Sequence, residues 1–550
     1  MSPSIDWIRV DFLRKAESYP SPPRRKIGNG SRISLAMPAE LAAPANFGVG
    51  SWIERRARIA PQDVALIGGD RSLTYAELAH RVRRLADGLH GLGVTRGDRV
   101  AWLGANHPAF LESFFAAGLL GAALAPVNHR LDAGEIGWVL QDIQPTVMIE
   151  HGVTDPVPVP ASVRHRIAVA EPMAGALDFE ALVAGSSDAP IATAVGVNDL
   201  CLLPHTSGTT GRPKGIMLTH ANVMWNVVNF LTCAEFRRDD VTIAIAPFFR
   251  VGGTGVNVLP VLFMGGTVVV PRKVSAEEIL RLIERHRVSV GFGNPDILDA
   301  LTGSELWPRA DLSSVRFMLT GGAPVPERLI RAYLDRGVKL LQGYGLSEAA
   351  PLALLLDPES ALEKIGSAGR PPLLIDVRIE GPDGTVVGPG ETGELLVRGP
   401  NVMAGYWNRP EATREVLSAD GWLRTGDAAR KDDEGYIWIV DRMADGFLSD
   451  RRLVYPGDIE RVLIGHPSIA DAGVVQIDTE ARAEVIVAFV VLSDGSEATE
   501  QDVLAFARQH LSPHQVPATV RFVDRLPRNS VGKLIRADLA ALASAQPATP

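Results

Sequence analysis

Thr206-Ser-Gly-Thr-Thr-Gly-Arg-Pro-Lys-Gly215 joins a short apolar strand pattern at 200–203 to a helix pattern at 219–231. Gly208 and Gly211 let backbone N–H groups converge on one point. The hydroxyls of Thr206, Ser207, Thr209 and Thr210 add donors, and Lys214 adds a point charge. Converging amides, hydroxyls and an ammonium suit a phosphate. The G-x-x-x-x-G-K-[ST] spacing of the Walker loop is absent, so this is a different phosphate cradle. A bare glycine turn would need neither four hydroxyls nor the lysine.

Outward from this loop, helix and strand patterns alternate on both sides. Upstream, 51–59 and 73–92 read as helices, the second with Thr74 as N-cap and Glu77 three residues on, a capping box. A strand at 97–103, a buried helix at 108–122 and a strand at 123–127 follow. Downstream come strands at 267–270, 288–291, 315–319 and 338–342, with helices at 276–286 and 326–336. This is the texture of a doubly wound, mainly parallel α/β sheet, present twice and predicting two halves that face each other. After Gly369, short strands with turns such as Pro382-Asp-Gly384 predict a small β-barrel or sandwich. From Asp458 an α+β pattern of about a hundred residues is enough for a separate lid. The expected division is an N-terminal extension (1–46), a large domain (47–440), a hinge (441–445), a mobile lid (446–543) and a tail (544–550).

Composition narrows the function classes. With 550 residues, 46% hydrophobic and 22% charged, the chain has ample material for a large core and is not a disordered one. Fifty-five Lys and Arg against 64 Asp and Glu leave a net charge of −9, which argues against nucleic acid as a partner. Two cysteines, Cys201 and Cys233, supply neither a disulfide framework nor a cysteine zinc cluster. Apolar runs such as 114–127 are too short to span a bilayer, and the N-terminus carries charges where a signal peptide needs apolar residues. The expectation is a cytoplasmic enzyme of small molecules without a membrane span, its oligomeric state open.

Six further motifs stand in order along the chain: Thr320-Gly-Gly-Ala323, Tyr344-Gly-Leu-Ser-Glu348, Gly393-Glu-Leu395, Gly421-Trp-Leu-Arg-Thr-Gly-Asp427, Asp441-Arg442 and Asn529-Ser-Val-Gly-Lys533. With the phosphate loop, they resemble the adenylate-forming superfamily of acyl-CoA synthetases, peptide-synthetase adenylation domains and luciferases. The resemblance covers residues 47–545 and is nearest to bacterial medium- and long-chain fatty acyl-CoA synthetases. It implies ATP and Mg²⁺, with an acid activated as its AMP anhydride. The loop residues Thr206 to Thr210 and Lys214 would hold phosphate. Gly321, Gly322 and Ala323 would lie along the adenine, beside Tyr344, Gly345 and Ser347. Glu348 would hold Mg²⁺ through phosphate oxygens. Asp427 would take the ribose hydroxyls and Arg442 the ribose or phosphate. Lys533 would swing in with the lid and stabilise charge on the α-phosphate and attacking oxygen.

Three stretches depart from the family pattern. Ala246-Pro-Phe-Phe-Arg-Val-Gly-Gly253 carries Arg250 where the family has His. A guanidinium there either pairs with a local carboxylate, reaches water, or holds an oxyanion of the substrate as a catalytic group. In Asp441-Arg-Met-Ala-Asp-Gly-Phe-Leu-Ser449 the hinge position is Ala444, and Asp450 and Arg451 replace turn glycines. His514-Gln-Val-Pro517 lacks a basic residue that could meet CoA. These changes place CoA in question as acceptor. The default reading is a fatty or aromatic carboxylic acid passed to CoA. The alternatives are an ATP-dependent diazotase passing nitrite to an aryl amine, a ligase loading a carrier protein or amine, and a nucleotide-binding pseudo-enzyme.

Overall fold

The computed structural model describes residues 46–545 apart from 70, 154, 207–211, 324, 450–451, 479–483, 494 and 529–533. The centre of the phosphate loop, the altered turn at Asp450 and Arg451, Lys533 and the 1–45 arm therefore lie outside the described residues.

The first sheet runs Gly405–Tyr406, Lys214–Thr219, Leu200–Leu202, Ala123–Val127, Arg99–Gly104, Val147–His151, His165–Val169 and Leu177–Asp178, with His205–Thr206 paired to the side of Lys214–Thr219. Its strands from Leu200–Leu202 to Leu177–Asp178 are parallel. The second sheet runs Leu352–Leu355, Lys339–Gly345, Phe317–Gly321, Val290–Phe292, Val241–Ile243, Thr267–Val270, Val64–Gly68 and Arg71–Thr74. The expected halves are thus interleaved in sequence. The Val64–Gly68 hairpin crosses forward to the second sheet, while Leu200–Leu202, Lys214–Thr219 and Gly405–Tyr406 return to the first.

Helix Pro108–Leu120 explains how the sheets share one core. From Ala109 onward every residue is buried, and a helix apolar on nearly every side, its Glu112 paired with Arg81, must lie inside. Its Phe110 ring meets Trp102 of the first sheet and Phe248, just past a strand of the second. Helix Tyr75–Gly91 has the expected capping box between Thr74 and Glu77. The Thr219 cap of helix His220–Cys233 pairs with Asn222 in the same way.

The third part consists of Asp376–Glu380, Gly393–Arg398, Leu423–Lys431 and Ile437–Arg442, all antiparallel in that order. Where a small barrel or sandwich is expected, its ladder is an open four-stranded sheet. The C-terminal part packs helices Pro456–Ile464, Glu500–His510 and Arg536–Ala545 on a sheet of Ile469–Asp478, Glu484–Leu492 and Thr519–Phe522. Where a hinge is expected, Met443–Asp445 forms a single 3₁₀ turn. Asp441 there accepts from the Gly457 amide at 2.7 Å and from Arg536 at 3.0 Å. Arg536 also reaches Asp445 and Glu460, so one guanidinium ties this turn to the C-terminal helices.

Candidate active site

Parallel strands Phe317–Gly321 and Lys339–Gly345 end side by side, with Gly321 opposite Gly343. A Cβ on Gly321 would stand 2.6 Å from the Gly343 carbonyl, so only glycine allows this approach. Gly322 turns with φ +90° and would meet nothing within 4 Å, leaving a bare backbone ledge. Ala323 is exposed on the same ledge, Gly345 closes the second strand, and Ser347 begins the turn that carries Glu348. Carboxyl ends of parallel strands are where such sheets receive ligands.

Beside the ledge, the Tyr344 hydroxyl donates to Asp427 Oδ2 at 2.5 Å, and Arg442 Nε forms an ion pair with Asp427 Oδ1 at 3.0 Å. Asp427 and Arg442 are register partners on adjacent strands, so the sheet itself sets this pairing. Burial, reinforced by the Asp427 carboxylate, pushes the Tyr344 phenol well above its ordinary range. Tyr344 therefore stays a neutral donor. A carboxylate offers about four lone-pair positions, so two protein donors can fix its plane while a diol approaches.

A second chain of contacts leads from the phosphate loop. Lys214 opens strand Lys214–Thr219 opposite Thr206, and its ammonium lies 5.1 Å from the Tyr406 ring centre. The Tyr406 hydroxyl donates to Glu348 Oε1 at 2.8 Å. Burial first, and then Glu348, raises the Tyr406 phenol, which keeps it a donor. Glu348 is the carboxylate that ends this chain of contacts, and no three His, Cys, Asp or Glu gather to cage a metal among the described residues. That suits Mg²⁺, which binds through one or two carboxylates and substrate phosphates. The bare glycine ledge and the single carboxylate together fit Mg–ATP.

Sequence reading missed Tyr406, whose only signal was an aromatic in Gly405-Tyr-Trp407 with no chemistry of its own. It also missed the support of the loop. Asp142 on helix Ala133–Ile143 accepts from His205 at 3.1 Å and Arg409 at 2.8 Å, while the Trp407 indole donates to its carbonyl. Burial alone would raise the Asp142 carboxyl, but His205 and Arg409 outweigh it and hold it below the usual range. Just before the ledge, Thr320 and Gln342 are register partners, and their buried Oγ1 and Oε1 atoms lack partners among the described residues.

Arg250 caps the short helix Val251–Gly255 and is exposed. The local carboxylate partner that sequence reading allowed does not exist among the described residues. Asn106 holds the approach to Arg250, donating to the carbonyls of Ala244 and Ala246 and accepting from the Phe248 amide at 2.8 Å. A Cβ on Gly255 would lie 3.1 Å from the Ala350 carbonyl, so this helix packs on the turn that follows Glu348.

Residues 53–407 match the family model for AMP-binding enzymes, and residues 458–533 match the model for the C-terminal domain of those enzymes. The chain belongs to the AMP-binding enzyme family. It is 45% identical to a feruloyl-CoA synthase of an Amycolatopsis species, over 90% of this chain and 99% of that one. It is 39% identical to an indoleacetate–CoA ligase of Aromatoleum aromaticum, over 89% and 96%. The structure of the O-succinylbenzoate coenzyme A synthetase of Bacillus subtilis with ATP and magnesium ion superposes with a TM-score of 0.78 at 30% identity, covering 89% of this chain and 99% of that one. The large domain with a smaller C-terminal one is the arrangement of adenylate-forming enzymes. No helix among the described residues is long and apolar enough to cross a membrane.

Proposed function

We propose that this chain is an AMP-forming ligase that activates an aromatic carboxylic acid and passes it to CoA. The observation that carries the reading is near-full-length identity of 45% to an enzyme named for feruloyl-CoA. The 39% match to an indoleacetate ligase supports an aromatic acid over a fatty one. CoA stands in the names of all three relatives, so the altered hinge and His514 are weak grounds for doubting it as acceptor. The diazotase, carrier-protein and pseudo-enzyme readings gain no support from these relatives.

In this reading the purine lies on the Gly321–Ala323 ledge and against Tyr344, with Gly345 and Ser347 beside it. Asp427, its plane fixed by Tyr344 and Arg442, takes the ribose hydroxyls. Thr206 to Thr210 and Lys214 hold the β- and γ-phosphates. Mg²⁺ held by Glu348 would neutralise charge on the phosphate oxygens. The substrate carboxylate attacks the α-phosphorus, the bond to the bridging oxygen breaks, and pyrophosphate leaves. Lys533 on the mobile lid stabilises the charge that develops there. The thiol of CoA then attacks the acyl carbon, gives up its proton, and expels AMP.

The test is AMP formation by the full chain with aryl-propenoic acids, arylacetic acids and fatty acids, each with and without CoA, and with nitrite plus aryl amine. The expected result is CoA-dependent AMP and thioester with an aromatic acid. AMP formation that needs nitrite and aryl amine, and ignores every acid with CoA, contradicts the proposal.

A further inference from the structure

Two guanidinium groups that follow strands of different sheets lie close enough to act on one another. Arg130 lies three residues beyond strand Ala123–Val127 of the first sheet, and Arg250 lies seven beyond strand Val241–Ile243 of the second. The Arg130 guanidinium stacks 5.7 Å from the centre of the Phe249 ring, and the ring of His129 meets the same phenylalanine edge-on at 5.5 Å. Among the described residues, neither guanidinium has an ion pair or a hydrogen bond.

That arrangement is costly as it stands. Part of the Arg250 side chain is exposed, yet protein crowds its charged end. This desolvation, and then the like charge of Arg130, push the Arg250 pKa down, so its surroundings disfavour its own charge. Burial and Arg130 likewise depress His129, whose Nδ1 is buried with no partner among the described residues. Elsewhere in the molecule, several arginines in or beside strands meet carboxylates, Arg316 at Asp240, Arg166 at Glu150 and Arg442 at Asp427, while Arg99 and Arg521 donate to backbone carbonyls. No described carboxylate is paired with Arg130 or Arg250 in that way. The segment leading to Arg250 is also fixed, because Asn106 binds it at three points. A like-charged pair without counter-charge, one member on a fixed backbone segment and the other stacked on Phe249, is complementary to an anion.

We propose that Arg130, stacked on the Phe249 ring, and Arg250, the next residue in the chain, form a two-guanidinium subsite for an anionic group of a substrate. The group is either a second acidic group on the acid being activated or a phosphate of CoA. This rests on the acid–CoA ligase reading and deepens it.

The test is equilibrium binding to the full chain by calorimetry, with two matched pairs of probes. One pair is an aryl dicarboxylate against its monocarboxylate, and the other is CoA against pantetheine, which lacks the phosphates. Each is titrated into the wild type, Arg250→Met, Arg130→Met and Arg250→Lys. The expected result is that the wild type prefers the anion-bearing member of one pair by roughly tenfold or more, the scale of one lost charge-assisted contact. Each Met variant should abolish that preference, and Arg250→Lys should keep part of it. The pair that shows the preference names the source of the anion. A wild type with no preference in either pair overturns the proposal, as does a preference that both Met variants retain. AMP formation with an aromatic acid and CoA, measured alongside, keeps failure of the subsite distinct from failure of the ligase reading.

Discussion

The proposed nucleotide face and the Phe249 corner belong to one fold, yet they treat charge in opposite ways. On the nucleotide face, Asp427 is held by Tyr344 and Arg442, and Glu348 is held by Tyr406. At the corner, Arg130 and Arg250 have no carboxylate partner among the described residues. A paired site is set in place before its ligand arrives, which suits the part of the reaction shared across the family. An unpaired one leaves its counter-charge to the ligand, which suits a feature of this chain's own substrate.

The largest expected effect tests the shared half. Lys533→Ala should lower pyrophosphate exchange by about 10²–10³-fold while ATP still binds. Undiminished exchange removes Lys533 from the reaction. Asp427→Asn comes next. Loss of charge-assisted hydrogen bonds worth about 1.5–3 kcal/mol should raise KM for ATP roughly tenfold to a hundredfold. An unchanged KM for ATP would mean that the paired carboxylate is structural only, and the contrast between the two regions would dissolve. Tyr406→Phe should cost about 1 kcal/mol, read as a several-fold higher Mg²⁺ requirement with little change in KM for the acid. An equal change in both would place Tyr406 outside the metal's neighbourhood.

The smallest effect lies away from both regions. His220, buried, accepts from the Val49 amide through Nδ1, and burial lowers its pKa to about 4. The unfolded chain takes up this proton near its ordinary value of about 6.5 and the folded chain only near 4, so stability falls as pH drops through that window. Thermal melts from about pH 7 down to about pH 4 should show this decline, and His220→Gln should flatten it. An unchanged slope in the variant assigns the acid sensitivity to other groups.

Much of this was legible in the sequence because it was local. Thr74 and Thr219 each cap a helix that the sequence places there, since a cap needs only a hydroxyl and a neighbour three residues on. The motif residues Tyr344, Asp427 and Arg442, each visible in the sequence, meet one another in space. What stayed hidden depends on distant chain segments meeting. Gly405–Tyr406 joins a strand far earlier in the chain, which is how Tyr406 reaches Glu348. Asp142 supports the loop from a helix whose sequence shows only amphipathic spacing. The interleaving of the sheets was hidden for the same reason, because no local pattern says which sheet a strand joins.

The most direct measurement is the nucleotide product of the full chain incubated with ATP, Mg²⁺, an aromatic acid and CoA. The wild type should give AMP and pyrophosphate in equal amounts with the thioester, and Lys533→Ala about 10²–10³-fold less of each. ADP and phosphate in their place would contradict the ligase reading.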